Sequence, residues 1–442
     1  MRQGGVRVKR IWRKLLVLTA SVMLSLVLTG CLADSTVEDL FTLPQPPIEY
    51  TDLSSTIASL ISGGYEYASP TAGQNIQSVQ MVDLNTDGEN EAVAFFRDPS
   101  DEKPLKIMLF RILDGSYELA ATIESSGTAI ERVEYRDMNG DGMQELVVGW
   151  KISSDVQNVA VYAAGKEPTV LMQSNYTRYS IQEMDGDGIP SLMVLRSDAE
   201  GASVAEFYGW RSEAMTLVYR SPLSSTMAAI SGGSVVSGLL DEDTPAVFVT
   251  GINEEGMAVT DILACRDNGT LTNAALSSLT GLSAVIHPYR QLQPQDLDGD
   301  GIIEIPAPAV TSELGSRSDG FVDWLHCDVD GEISCVLSTY HSLSDGWYLV
   351  LPEDWTGRVT IMTTETDVNE SQVIFKVEGK KVAAVYAITG ENRENRALRG
   401  SRTVLRRQTD IVYAGEVAEN DIGFGTEQLR SCFRLIVSSW TS

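Results

Sequence analysis

The sequence predicts a mainly β protein: a β-propeller of about five four-stranded blades, followed by a small α+β domain. The first observation is a repeat, because an acidic nine-residue pattern begins at residues 83, 137, 183, 237 and 296, at spacings of 54, 46, 54 and 59. A period near fifty residues is typical of arrays and propellers. The second observation is that each period holds four short strand-like segments, with the acidic loop always between the first and second.

The clearest copy of the acidic loop covers residues 296–304. Asp296, Asp298 and Asp300 alternate along the backbone, Gly301 permits a sharp turn, and Glu304 closes the pattern at its ninth position. Converging carboxylate oxygens suit Ca²⁺, which accepts about 6–8 oxygen ligands in flexible geometry. An EF-hand is excluded because its closing acid lies at position twelve and its flanks are helical, whereas the flanks here read as strands.

Two other copies keep every ligand position, one is partial and one is degenerate. The ligand residues are Asp83, Asn85, Asp87 and Glu91 in the first loop, Asp137, Asn139, Asp141 and Glu145 in the second, and Glu183, Asp185 and Asp187 in the third, which has Ser191 at the closing position. The fourth, over residues 237–245, keeps only Asp241. Acidic turns without metal are the alternative, since Asp-Gly and Asn-Gly favour turns. Three complete copies favour calcium, with weak binding in the third loop and none in the fourth.

The first thirty residues are predicted to be an export signal. Six Lys and Arg side chains precede a short apolar run, Leu15 to Thr29, which is below the ~20 residues of a membrane-spanning helix. The run ends in Leu-Thr-Gly-Cys31, which resembles a bacterial lipobox. That resemblance implies lipidation of Cys31 and a soluble body held at the extracytoplasmic face of the cell membrane. An uncleaved signal anchor is the alternative.

The composition indicates a folded, strongly acidic protein. The 442 residues are 43% hydrophobic and carry a formal charge of −28, and from Cys31 onward 27 basic residues face 61 acidic ones. Such a surface disfavours nucleic acid as a partner, because nucleic-acid binding depends on basic patches. The acidity fits either solubility or metal binding.

The chain then divides into predicted elements. Residues 31–50 form a proline-containing tether, and residues 51–76 hold a short amphipathic helix, Asp52 to Ser62, and a lead-in. The blades occupy residues 77–345. Their predicted strands are Ser78–Val82, Glu91–Phe96, Leu105–Leu113 and Tyr117–Ile123; Ile130–Tyr135, Glu145–Trp150, Val156–Tyr162 and Thr169–Gln173; Tyr179–Gln182, Ser191–Leu195, Ser203–Trp210 and Met215–Tyr219; Gly233–Leu239, Ala246–Gly251, Ala258–Arg266 and Thr270–Leu276; and Gln291–Gln295, Glu304–Ala309, Phe321–Asp328 and Glu332–Thr339.

After residue 345 the pattern changes, and residues 346–442 are predicted to form the α+β domain. The predicted strands are Trp347–Leu351, Arg358–Thr363, Val373–Val377 and Val382–Ile388, and the predicted helix is Thr426–Ser438. One fifteen-residue stretch of this domain contains six arginines: Arg393, Arg396, Arg399, Arg402, Arg406 and Arg407. They either balance nearby acids or contact an anionic surface such as lipid headgroups.

The acidic loops between strands resemble FG-GAP/VCBS-type repeats, found in integrin α-chain propellers and in bacterial surface lipoproteins. The resemblance covers residues 77–345, although the Phe-Gly and Gly-Ala-Pro signatures of the family are absent. It implies a β-propeller with calcium bound in loops on its rim.

Catalytic motifs are few. His287, His326 and His341 show no paired ligand spacing, and neither a nucleophile elbow nor a phosphate loop occurs. Cys327 and Cys335 could bridge across a hairpin or be two small buried residues. We therefore expect a non-enzymatic, membrane-anchored lipoprotein that binds protein or glycan through its propeller. The alternatives are a polysaccharide-acting enzyme, with its site in the propeller channel or the C-terminal domain, and an envelope assembly factor.

Overall fold

The computed structural model describes residues 51–165, 167–266, 269–309 and 320–436. It is mainly β, with 51% of residues in strands and 8% in helices. The predicted signal peptide, the tether and Cys31 lie outside the described residues. The chain's described residues divide into two compact units, one with residues 51–63 and 112–118, and the other with residues 64–111 and those from 119 onward.

In the first unit, helix α1 covers Thr51–Ser62, which confirms the predicted helix. Leu53 and Ile57, four residues apart on one helical face, are both buried. The Ser116 hydroxyl donates a hydrogen bond to the Asp52 carboxylate, 3.0 Å away. Of the helices in the described part of the chain, none is long and apolar enough to cross a membrane.

The described residues form six antiparallel sheets. The first holds β1 (Glu66–Tyr67), β2 (Val79–Val82), β3 (Glu91–Arg97), β4 (Leu105–Leu113) and β5 (Ser116–Ser125). The second holds β6 (Ala129–Arg136), β7 (Glu145–Lys151), β8 (Gln157–Ala163) and β9 (Thr169–Tyr176), and the third holds β10 (Arg178–Gln182), β11 (Ser191–Ser197), β12 (Ser203–Arg211) and β13 (Ala214–Pro222). The fourth follows helix α2 (Met227–Ser231) and holds β14 (Ser234–Leu239), β15 (Pro245–Ile252), β16 (Ala258–Cys265), β17 (Leu271–Asn273) and β18 (Ile286–His287).

The fifth sheet departs from the predicted strands at both ends. It has the order β19 (Ile305–Pro308), β20 (Phe321–Cys327), β21 (Ile333–Ser342), β22 (Trp347–Val350) and β28 (Phe433–Leu435). The strand predicted at Gln291–Gln295 is replaced by a single bridge between Gln295 and Glu304. No longer strand forms at this edge of the sheet, because Pro288 and Pro294 lack the N–H groups that strand pairing needs.

The C-terminal residues form a sixth sheet and a short helix. After a 3₁₀ turn at Glu353–Trp355, the sheet has the order β23 (Val359–Asp367), β24 (Glu370–Val377), β25 (Lys380–Thr389), β27 (Ile411–Val417) and β26 (Thr403–Arg407), with helix α3 (Arg393–Arg396) between β25 and β26. Helix α4 is shorter than predicted and covers Thr426–Cys432. The predicted helix was wrong over Phe433–Leu435, which pairs with β22 as a strand. The predicted domain boundary at residue 346 stays a prediction.

Each sheet packs on the next one along the chain. Buried clusters join the first sheet to the second, the second to the third, the third to the fourth, the fourth to the fifth, and the fifth to the sixth. In the first four sheets the strands β3, β7, β11 and β15 are buried along almost their whole length, and in β3 every residue from Glu91 to Phe96 is buried. This explains the continuous apolar runs of these strands. A closed barrel or propeller is not detected in the described residues.

Candidate metal centre

The acidic loops occupy the same place in the sheets. In the first three sheets the loop joins β2 to β3, β6 to β7 and β10 to β11. The residue at its closing position is the first residue of the strand that follows: Glu91 in β3, Glu145 in β7 and Ser191 in β11. In the fifth sheet Glu304 immediately precedes β19. The sequence therefore places each closing side chain where a loop exposed to solvent enters a strand buried on both faces.

The three complete loops have one backbone frame. The carboxylate of the first residue accepts a hydrogen bond from the glycine N–H at the sixth position, at 2.9, 2.9 and 3.0 Å. These glycines, Gly88, Gly142 and Gly301, have φ of 90°, 87° and 92°, which other residues rarely adopt. The fifth-position carboxylate caps the seventh N–H at 2.8 Å in each loop.

The closing glutamates point back into their loops. One oxygen of Glu91, Glu145 or Glu304 accepts a hydrogen bond from the N–H of the second loop residue, at 2.7, 2.8 and 2.7 Å. All three are buried, and burial raises the pKa of Glu91 and Glu304. Burial raises the pKa of Glu145 furthest, to about 7. The second oxygen, Oε1, lies beside Asn85 Nδ2 in the first loop, Asn139 Nδ2 in the second and His326 Nε2 in the fifth.

In the first loop the asparagine amide bridges two of the acids. Asn85 Nδ2 donates to Asp87 Oδ2 at 2.8 Å and to Glu91 Oε1 at 3.0 Å. Oδ1 of Asp83 is buried and has no hydrogen-bond partner within the described part of the chain. Turning the amide by half a rotation would exchange its N–H groups for a carbonyl oxygen, completing a set of oxygen donors.

The second loop repeats this arrangement, and within the described residues no Lys or Arg forms an ion pair with its acids. Asn139 Nδ2 lies 3.1 Å from both Asp141 Oδ2 and Glu145 Oε1. The loop acids Asp137 and Asp141 act with burial to raise the pKa of Glu145. The donor sets of these two loops fit a hard divalent cation.

In the fifth loop an imidazole lies beside the acids. Ligand atoms of Asp296, Asp298 and Asp300 all lie within 4.8 Å of one another, and so do those of Asp300, Glu304 and His326. His326 Nε2 is 3.0 Å from Glu304 Oε1. The acidic groups of this loop could hold a metal ion, with His326 at its side.

The third loop contains its own cation. Glu183, Asp185 and Asp187 cluster as the acids of the fifth loop do. Arg211, at the end of β12, forms ion pairs with the Asp185 carboxylate and with Asp187 Oδ2, the latter at 3.0 Å. Because Ser191 supplies no closing carboxylate, the loop has three acids. The Arg211 guanidinium neutralises part of their negative charge.

The fourth loop is an ordinary turn. Asp241 accepts hydrogen bonds from the N–H groups of Asp243 and Thr244 at 3.2 and 2.9 Å, which lowers its pKa. The first three residues of the pattern, Ser237–Leu239, belong to β14 instead of a loop. This agrees with the loss of the other acids from the fourth copy.

Neighbouring loops touch along one edge of the stacked sheets. The Gln144 N–H donates to the Leu84 carbonyl at 2.7 Å, which joins the second loop to the first. The Ile303 N–H donates to the Leu239 carbonyl at 2.9 Å, joining the fifth loop to the fourth copy. Ordering of one loop therefore restrains the next.

Sequence reasoning found the loop acids but missed the basic side chains that reach them. Continuing the strand register by one pair places Arg111, Ala163, Gly209, Cys265 and His326 opposite the five closing positions. Arg111 Nε lies 3.9 Å from Glu91 Oε1. Arg211 lies two residues beyond Gly209. Strand pairing was the signal that could have found them. Arg111, Arg211 and His326 lie on β4, β12 and β20, and each of these strands pairs with the strand that follows an acidic loop.

Other residues singled out from the sequence have structural partners. His287 and His341 are buried, and burial lowers the pKa of each to about 4. Cys327 and Cys335 are free thiols, because Cys335 pairs with Leu325 across the hairpin. In the arginine-rich segment, Arg396 and Arg402 both bind the buried Glu370 carboxylate, at 3.2 and 2.7 Å.

Comparisons with known proteins do not assign a family. No family model matches the chain, and no curated protein matches it. Among solved structures it is similar to a hypothetical protein from Leishmania major, at 11% identity over 63% of this chain and 92% of the other, with a TM-score of 0.22. It is also similar to the α-L-arabinofuranosidase PaAbf62A from Podospora anserina, solved in complex with cellotriose, at 8% identity over 60% of this chain and 92% of the other, with a TM-score of 0.22. Similarity at this level supports no argument about fold or function.

Proposed function

We propose that this chain is a membrane-anchored, extracytoplasmic calcium-binding lipoprotein that uses a β-propeller to bind a protein or glycan, without enzymatic activity. The observation that carries the proposal is the repeated loop frame. Three loops have the same hydrogen bonds, a positive-φ glycine and a buried closing glutamate. A turn requires none of these closing glutamates, whereas each would give a bound cation a further carboxylate ligand.

Calcium is the proposed ion for the first and second loops because their donors are carboxylate and amide oxygens only. Asp83, Asn85, Asp87 and Glu91 would hold one ion, and the corresponding four residues of the second loop another. The fifth loop offers four carboxylates. A bound ion would relieve the repulsion between carboxylates and stabilise the loop edge of the sheets. Extracellular calcium-binding modules have a Kd of about 10⁻⁴–10⁻³ M, and we expect a Kd of this order for these loops.

The propeller part of the proposal is supported by the order of packing. Five successive sheets contain the loop or its remnant, and each packs on its neighbour in chain order. Closure around an axis would protect sheet edges that otherwise pair with other chains. The ligand-binding role rests on analogy with propeller faces. An exposed apolar loop, with Leu279 at 95% and Leu282 at 62% exposure, supports a protein as ligand.

The metal is tested by thermal unfolding of the full chain in chelator, in calcium at a hundredfold excess over its Kd, and in magnesium at the same concentration. Calcium at a hundredfold excess over its Kd should raise the free energy of unfolding by about 2.7 kcal/mol per site, because it binds only the folded state. Magnesium should act weakly, since it needs near-ideal octahedral geometry. Equal unfolding in all three conditions, with no metal in the purified protein, would contradict the proposal.

The anchor is tested separately by Cys31→Ala. Removing the acceptor sulfur should move the protein from the membrane fraction to the soluble fraction, because the remaining signal is too short to span a bilayer. Cys432→Ala is the matched control and should leave the protein with the membranes. A Cys31→Ala protein that stays membrane-bound would mean that the apolar segment is an uncleaved anchor.

A further inference from the structure

The fifth loop differs from the other complete loops in the side chain opposite its closing glutamate. That position holds Arg111 in the first sheet and Ala163 in the second, but His326 in the fifth. A guanidinium cannot ligate a metal, and alanine offers no donor. Imidazole is a common metal ligand when neutral. The fifth loop therefore has a nitrogen donor that its counterparts lack.

The imidazole is aimed at the acids. Its Nε2 lies 3.0 Å from Oε1 of Glu304, a carboxylate with no solvent exposure. The other oxygen of Glu304 is held by the Leu297 N–H at 2.7 Å, so only Oε1 is available to share with the imidazole. Asp300 completes a group whose three ligand atoms lie within 4.8 Å of one another.

This donor set differs chemically from an oxygen-only site. Carboxylates and carbonyls alone suit calcium and magnesium, whereas imidazole shifts preference toward first-row transition ions such as Mn²⁺ and Zn²⁺. Asp300 lies in the loop, Glu304 immediately precedes β19 and His326 lies in β20, and the pairing of β19 with β20 sets the relative positions of the last two. The side chain of His326 is 26% exposed, which leaves a route for an ion from solvent.

We propose that the fifth loop is a mixed oxygen–nitrogen site for a divalent first-row transition-metal ion, held by Asp300, Glu304 and His326. The inference rests on the proposed metal-binding function and deepens it. The fifth loop accepts calcium through its oxygens but holds Mn²⁺ more tightly, while the first and second loops prefer calcium. The chain thus has two chemically distinct classes of metal site.

The test is pulsed electron paramagnetic resonance of the full, chelator-stripped chain with one equivalent of Mn²⁺ in millimolar calcium. We expect electron spin echo modulation from an imidazole ¹⁴N. The signal is assignable because the sequence has three histidines, and His287 and His341 are buried away from the loop acids. One ring nitrogen of each contacts a protein group, the Tyr289 N–H or the Thr339 hydroxyl, and the other is enclosed by protein. Zn²⁺ should displace the Mn²⁺, following the general affinity order.

His326→Ala should abolish the nitrogen modulation and weaken Mn²⁺ binding about 10-fold or more, as loss of a residue at a metal site does. Asp141→Ala, in the second loop, is the control and should leave the modulation intact. Calcium binding by the first and second loops of His326→Ala reports that the variant is folded.

The possible results separate the two proposals. Mn²⁺ bound without nitrogen modulation, modulation that persists in His326→Ala, or no Mn²⁺ binding while calcium binding is intact would each overturn the mixed site and leave the calcium proposal standing. Failure to bind either ion would overturn both.

Discussion

The third and fifth loops both have a positive-φ glycine at the sixth position and a fifth-position carboxylate that caps the seventh N–H, but they place different groups beside their carboxylates. In the third loop, Arg211 forms ion pairs with Asp185 and Asp187. In the fifth loop, no arginine or lysine within the described residues pairs with the acids, and His326 contacts Glu304 instead. One loop therefore contains a fixed cation, whereas the other gathers donors that a soluble cation could use.

The difference shows that loop acids alone do not decide whether a metal is needed. A guanidinium can pair with two carboxylates without a bound ion. Because it is always protonated, it adds a fixed positive charge to the loop. The closing position changes in parallel, because Ser191 replaces a glutamate where Arg211 is present. The second loop lies at the other extreme, since none of the cations in the described part of the chain pairs with Glu145, and burial raises the pKa of Glu145 to about 7. We therefore expect metal dependence to increase from the third loop to the first and then the second.

The largest expected effect is loss of a complete site. Asp298→Ala removes a carboxylate from the cluster of the fifth loop and should abolish that site's share of calcium stabilisation, about 2.7 kcal/mol at a hundredfold excess of ion. Asp241→Ala is the matched control, because that carboxylate only caps a turn. Equal losses of calcium-dependent stability, measured by thermal unfolding in calcium and in chelator, would contradict the ranking of the loops.

The second prediction contrasts His326 with a histidine that has no acid beside it. His341 stacks on Tyr348 at 4.9 Å, its Nε2 lies 2.9 Å from the Thr339 hydroxyl, and burial lowers its pKa to about 4. Below pH 6.5 the unfolded chain binds a proton that the folded chain refuses, so stability is full above pH 6.5 and falls as the pH drops toward 4.

His341→Phe should remove part of this acid sensitivity. One unit of pKa shift corresponds to about 1.4 kcal/mol, so the loss between pH 7 and pH 5 should be smaller by about 2 kcal/mol in the variant. Urea unfolding at the two pH values measures it. An unchanged pH dependence would show that His341 is protonated in the folded protein.

The third prediction removes the arginine from the third loop, so that its acids become open to a metal ion as those of the fifth loop are. Arg211→Ala should lower stability in chelator by about 1 kcal/mol, since its ion pairs are partly exposed. Millimolar calcium should restore it, because Asp185 and Asp187 are then open to an ion. Arg220→Ala, which breaks a similarly exposed pair with Asp198, should be destabilised without calcium rescue. Equal calcium responses of the two variants would contradict the role given to Arg211.

Much of the local structure could be predicted because strand periodicity and turn chemistry are local. The strand Leu105–Leu113 has its predicted bounds, and α1 starts within one residue of its predicted position. The end of α4 could not be predicted, since Phe433–Leu435 has apolar helical spacing but gains more by pairing with β22. Tertiary pairing outweighed the local pattern there.

The candidate site shows the same division. The acids of each loop lie within nine residues and were found from their spacing. Arg211 and His326 lie 26 and 22 residues from Asp185 and Glu304, their partners, and only strand register brings them together. An arginine or histidine on a third strand has no local mark that distinguishes it from a surface residue.

The most direct test is a count of bound calcium by equilibrium dialysis of the full chain at saturating calcium without other metals. The account predicts three ions per chain, in the first, second and fifth loops, because Arg211 fills the place of a cation in the third. Arg211→Ala should raise the count to four. No bound calcium would contradict the account entirely, and four ions in the unmodified chain would contradict the distinction between the third and fifth loops.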